Sequence, residues 1–77
     1  MKAREIAIRE ARIACDAEGL LLLDFTVAIA RIRLGRDEDG RVRIRRVYDF
    51  EYSDTGDNRR KGSLVLLGHE LVLFRVS

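Results

Sequence analysis

Arginine is the residue here whose type and spacing could do chemistry. In RVRIRRVYDFEY, residues 41–52, Arg41, Arg43 and Arg45 interleave with an apolar set made of Val42, Ile44, Tyr48, Phe50 and Tyr52. A period of two belongs to a strand with unlike faces. The apolar set therefore reads as a buried sheet face, and the guanidinium groups point the other way. Planar guanidinium forks suit phosphate and carboxylate, so that face calls for solvent or an anionic partner. Thirteen of the fifteen basic residues are arginine, a bias that G+C-rich coding also writes, and the net charge is only +2. Bulk charge therefore does not mark a nucleic-acid binder.

Other reactive types lack the company that chemistry needs. His69 is the only histidine and sits in an expected hairpin turn, without the further ligands of a metal site or the partner of a catalytic base. Cys15 is expected to project off the main helix stripe beside Ile8, as a small apolar filler, and a lone cysteine excludes an internal disulfide. Setting Gly40 of DEDG as the glycine of a calcium loop puts Gly35 and Arg46 at essential ligand positions, the wrong chemistry. Asp49 and Glu51 face one way and read as charge balance beside the arginines. Tyr48, Phe50 and Tyr52 could stack bases, but their parity with Val42 and Ile44 makes them core. No glycine-rich phosphate loop or nucleophile motif occurs. The expectation is no enzyme activity, cofactor, metal or small-molecule substrate.

These groups need elements to position them. At 77 residues the chain is a single small α+β domain, residues 1–77, with a thin core. Residues 2–18 are rich in helix formers. Ala3, Ile6, Ala7, Ile13, Ala14 and Ala17 share a side, a narrow stripe that lets a helix lie close on a sheet, while Glu5–Arg9 and Arg12–Asp16 are pairs four apart. Gly19 suits a left-handed cap. No side chain caps the helix start.

Beyond Gly19 the period becomes two. Residues 26–36 and 41–53 are strands around DEDG, and 20–25 is a separate short strand or the start of the first. A two-residue Asp39-Gly40 loop would set Leu34 against Arg45, mixing core and solvent faces. A three-residue loop closed by Gly40 sets Leu34 against Ile44, Ala30 against Tyr48 and Ala28 against Phe50, and is the register expected. SDTGDN is the next loop. Residues 64–67 and 71–76 pair across Gly68-His69 in a type II′ turn. The fold expected is an N-terminal helix packed on an antiparallel four-stranded β-meander.

This register gathers Arg31, Arg33, Arg41, Arg43 and Arg45 on the face away from the helix as the anion-binding candidates. Arg33 lies opposite Arg45, a like-charge pair that needs an offset from Asp37, Asp39, Asp49 or an outside anion; RRK at 59–61 adds to the basic surface. The same face turns apolar at Leu21, Leu23, Phe25, Val27 and Ile29. The last hairpin is apolar on both sides, with Leu64, Leu66, Leu71 and Leu73 on one and Val65, Leu67, Val72 and Phe74 on the other. One helix cannot cover both faces, so Phe25, Val27, Val65, Leu67, Val72 and Phe74 are the candidates for an interface with a second copy, as a homodimer, or with a protein partner.

The segments LLDFTVA, RDEDGR, RRVYDFEYS and LVLLG, within a match over almost the whole chain, resemble an uncharacterised proteobacterial family, domain of unknown function 3301. The resemblance implies one N-terminal membrane-spanning segment running straight into the arginine-rich helix. The chain starts at Met1 without it and so resembles the soluble part of a member. An anchor there would set Lys2, Arg4, Arg9 and Arg12 just past the membrane, implying a cytoplasmic domain tethered to the inner membrane. The expectation is a non-enzymatic module that uses its sheet for self-association or protein interaction and its arginines for anionic lipid. The alternative is a small nucleic-acid-binding domain using the same arginines and residues 59–61 on phosphates.

Overall fold

The structure, a computed structural model, describes residues 2–76. Helix α1 (Lys2–Ala17) precedes strands β1 (Leu21–Arg36), β2 (Val42–Ser53), β3 (Arg60–Leu67) and β4 (Glu70–Val76). The strands form one antiparallel sheet in the order β1-β2-β3-β4, the expected meander.

Gly19 ends the helix with φ at +72°. Leu20 N–H donates to the Cys15 carbonyl at 2.8 Å and Gly19 N–H to the Asp16 carbonyl at 3.1 Å, the paired bonds of a Schellman cap. The cap turns the chain into β1 and sets Leu20 against the core.

The buried side of α1 is the four-residue row Ala3, Ala7, Ala11 and Cys15, the last three fully buried. This rotates the expected stripe: Ile13 is 60% exposed and Ala17 exposed, while Cys15 lies on the row rather than off it. Small side chains occupy the contact because they let the helix axis approach the sheet, and Ile6 and Ile8 pack half-buried beside them. Arg12 reaches Asp24 of β1 at 2.6 Å rather than Asp16, and Arg9 lies 3.9 Å from Glu10 in place of the expected Glu5 pair.

The first hairpin has the three-residue loop. Gly40, at φ +79°, donates its N–H to the Asp37 carbonyl, and Asp37 N–H donates to the Arg41 carbonyl, both at 3.0 Å. Leu34 then stands opposite Ile44 and Arg33 opposite Arg45. Further along, the expected pairs shift. Ile29, not Ala30, faces Tyr48, and Ala28 faces Asp49 rather than Phe50, because Ala30 is an extra residue bulged out of β1. A wider irregularity lies between Leu23 and Ala28, yet residues 21–25 begin the same long strand instead of a separate one. There the Thr26 hydroxyl replaces missing ladder bonds, accepting Glu51 N–H at 2.7 Å and donating to the Leu23 carbonyl at 2.6 Å. Arg4 Nε donates to the Val27 carbonyl at 3.1 Å, tying α1 to the same irregular stretch.

In the second hairpin Gly68 has φ +62° and, among the described residues, no non-glycine residue has positive φ, which excludes a type I′ turn and matches type II′. A bulge at Val72 alters the expected faces. Leu71 and Phe74 turn to the core opposite Leu66 and Leu64, and Leu73 joins Val65 on the other side. The core joins the α1 row to Val27, Tyr48, Phe50, Tyr52, Leu64 and Leu66. Phe50 stacks on Phe74 with centroids 5.7 Å apart.

Sixteen helical residues span about 24 Å, and the molecule is 42 Å long. The helix therefore covers one end of the sheet. Beyond it the β1–β2 ribbon projects with Val42 and Ile44 exposed at 54% and 41%, a correction to their expected burial.

Candidate anion-binding face

The ribbon gathers the arginines as the loop length requires. Arg33 faces Arg45, Arg31 faces Val47 and Gly35 faces Arg43. Partners directly opposite in an antiparallel pair share a face, and Arg41 follows two residues before Arg43. Arg31, Arg33, Arg41, Arg43 and Arg45 thus lie on the face away from α1, all exposed. Leu67 of β3 borders them: a Cβ on Gly35 would meet its Cδ1 at 3.3 Å.

Of the three carboxylates expected to offset this charge, Asp37 does so. Its Oδ2 accepts Arg43 Nε–H at 3.0 Å, and its Oδ1 accepts the amides of Asp39 and Arg41 at 3.0 and 2.9 Å. The Arg43 hydrogen bond, followed by those two amides, holds the Asp37 carboxyl below the ordinary aspartate range. Among the described residues Arg31, Arg33, Arg41 and Arg45 have no carboxylate in ion-pair contact. Asp49 is separated from Arg31 by the Ala30 bulge.

Toward the other end the same face hollows into an open groove of about 720 Å³ lined by Asp49, Glu51, Arg59, Lys61, Ser63 and Arg75, among others. Glu51 Oε1 is shielded from solvent and makes no well-aligned hydrogen bond, so its partner is the Arg59 guanidinium at 3.1 Å. Arg59 also lies over the Phe25 ring, 5.6 Å from its centroid, a cation–π contact. RRK therefore divides: Arg59 and Lys61 line the groove, while Arg60 binds Asp54 at 3.2 Å. Sequence reasoning missed Arg75, which the Val72 bulge and the Ser63 pairing bring there. It also missed Thr26, whose only signal was a hydroxyl between Phe25 and Val27.

The interface candidates separate in the same way. Val27 and Val65 are buried at 2% and 3% within this chain and offer no free surface; Phe74 is half-buried on the core. Phe25 at 69% and Val72 at 49% are exposed, and Leu67 is half-buried.

Cys15 is fully buried, and this desolvation, with Asp16 nearby, pushes its thiol above the ordinary value, the opposite of nucleophile activation. Among the described residues no cluster of histidine, cysteine and carboxylates has metal-binding geometry, and no helix is long and apolar enough to cross a membrane.

Residues 1–77 match the family model of a protein of unknown function, DUF3301. The chain belongs to this family. No curated protein and no solved structure matches it.

Proposed function

We propose that this DUF3301 chain is a non-enzymatic, membrane-tethered cytoplasmic module. Its arginine face lies against anionic lipid, and its exposed apolar surface serves self-association or protein contact. The observation that carries the reading is the ribbon itself: five exposed arginines on one face, two of them directly opposed, with one carboxylate among them engaged by Arg43. Like charges opposed across a sheet cost about 0.2–1 kcal/mol, and an anionic surface offsets that cost by about 1 kcal/mol per arginine. Lipid headgroups suit a face whose arginines are all exposed.

Nucleic acid is the rival. The rings that would stack bases, Tyr48, Phe50 and Tyr52, are buried on the opposite side, and the exposed Phe25 ring already lies against the Arg59 guanidinium. The test is flotation with vesicles of anionic or neutral lipid against titration with a single- or double-stranded oligonucleotide, each at 50 mM and 500 mM salt. Salt-sensitive binding to anionic vesicles alone supports the proposal. Salt-sensitive oligonucleotide binding without flotation overturns it.

A further inference from the structure

The sheet has two edges, and they are not equally guarded. At β1 the Arg4 guanidinium takes the Val27 carbonyl at 3.1 Å, Ala30 bulges out of line, and Arg31 and Arg33 follow it with positive charge. β4 pairs with β3 alone, and none of Glu70–Val76 makes a hydrogen bond outside that ladder among the described residues. Its outward amides and carbonyls are therefore a template for another strand. ELVLFRV holds neither proline nor lysine to discourage pairing, and Val72 and Leu73 are exposed at 49% and 45%.

The Val72 bulge determines what that strand can be. Residues five apart on a regular strand lie on opposite faces. Here Leu67 faces both Arg45 and Glu70, and Ser63 faces both Asp49 and Arg75, so the extra residue brings Glu70 and Arg75 together on the arginine face. Leu73, opposite Val65, lies between them, while Leu71 and Phe74 turn to the core face. Laid antiparallel against a copy of itself with Leu73 on Leu73, β4 sets Leu71 on Phe74 and Glu70 on Arg75, each pair twice. The two bulges then fall symmetrically about the centre, and every pair shares a face. Centring on Leu71 or Phe74 instead sets Glu70 or Arg75 against Leu73 and leaves the other charge unmatched. Glu70 and Arg75 are exposed and in no ion pair among the described residues. A bulge ordinarily blunts an edge; this one makes the edge complementary to itself.

We propose that β4 pairs edge to edge with β4 of a second copy, antiparallel about a two-fold axis at Leu73, to form one eight-stranded sheet. The proposal rests on the self-association part of the reading above and supplies its surface. The two-fold arrangement is closed, because it consumes both β4 edges. Seven residues make only about 24 Å of ladder, so the dimer dissociates on dilution. An axis perpendicular to the sheet keeps each face on its own side, with both helices on one and both arginine faces on the other. The dimer therefore presents two arginine faces to a single anionic surface and binds it more tightly than the monomer by avidity.

The test is sedimentation of the full chain from 10 µM to 1 mM, with flotation on anionic vesicles as a separate arm. The expected result is a mass rising with concentration from the 8.8 kDa chain toward twice that value, with β4 amides that exchange more slowly at the higher concentration. Glu70→Arg sets like charges opposite each other twice, as does Arg75→Glu, and each is expected to weaken the dimer about tenfold. Glu70→Arg with Arg75→Glu in the same chain is expected to restore it. Leu73→Lys, at an exposed position, is expected to keep the folded circular-dichroism spectrum and stay monomeric. A wild type monomeric at 1 mM overturns the proposal. So does a dimer that survives Leu73→Lys, or single reversals that the double reversal fails to rescue. A monomeric wild type that still floats overturns the pairing and leaves the lipid reading standing, whereas a rescued dimer that fails to float upholds the pairing and refutes the lipid reading alone.

Discussion

Replacing the opposed pair, Arg33→Gln with Arg45→Gln, should make the protein more stable and a poorer lipid binder. The two arginines are direct cross-strand partners, both exposed and without a carboxylate. Their repulsion is worth about 0.2–1 kcal/mol, and solvent screening favours the lower half of that range. For a domain this small 1 kcal/mol shifts Tm by about 4–8 °C, so the variant should melt a few degrees higher. Each arginine contributes about 1 kcal/mol near an anionic leaflet, so losing two weakens vesicle binding about thirtyfold at low salt. In 1 M salt, where screening acts over about 3 Å, wild type and variant should bind equally weakly. Thermal melts and vesicle cosedimentation give both quantities from one preparation. A variant that melts lower, or that binds anionic vesicles as tightly as wild type, refutes the claim that this strained charge pair is retained for an anion.

Three further outcomes follow from the packing. Gly62→Ala places a Cβ 2.7 Å from Phe50 Cζ and 2.8 Å from the Arg75 carbonyl oxygen; the backbone contact cannot be relieved by a rotamer, so urea melts should show a loss of about 1–3 kcal/mol. Thr26→Val removes the hydroxyl that receives Glu51 N–H and should cost about 1–3 kcal/mol, against a much smaller effect for Thr55→Val in the exposed loop. Asp37 titrates below the ordinary aspartate value of 3.8 because Arg43 and two amides hold its charged form; its contribution is present above that value and is lost as pH falls through the lower folded one. Asp39 and Arg41 amide shifts followed by NMR should move with a midpoint below 3.8, and Asp37→Asn should abolish the transition.

The parts of this fold that were legible rest on short-range rules. Gly19 and Gly40 occupy left-handed positions that other residues avoid, so they mark the helix end and a three-residue loop. Once the loop length is known, Leu34 must face Ile44 and the five arginines must share a side. The match of LLDFTVA, RRVYDFEYS and LVLLG to the family was legible for the same reason, since it is a property of local sequence. The helix stripe was misread because apolarity on a wheel favours Ile13, whereas close approach to a sheet favours Ala11 and Cys15. The interface candidates were misread at Val65, which this chain buries by itself, and at Val27 and Phe74, each next to a strand irregularity that no local pattern announces.

By itself, then, the sequence determined the order of elements, the hairpin register next to the loop and the clustering of guanidinium groups, because backbone sterics at glycine and the two-residue strand period act between near neighbours. Tertiary structure alone decided where β1 and β4 bulge, which row of α1 touches the sheet, and that the helix stops short of Leu34, Val42 and Ile44. Those outcomes depend on how much surface a 16-residue helix can cover and which distant side chains meet beneath it, and burial is a property of the assembled surface rather than of any one segment.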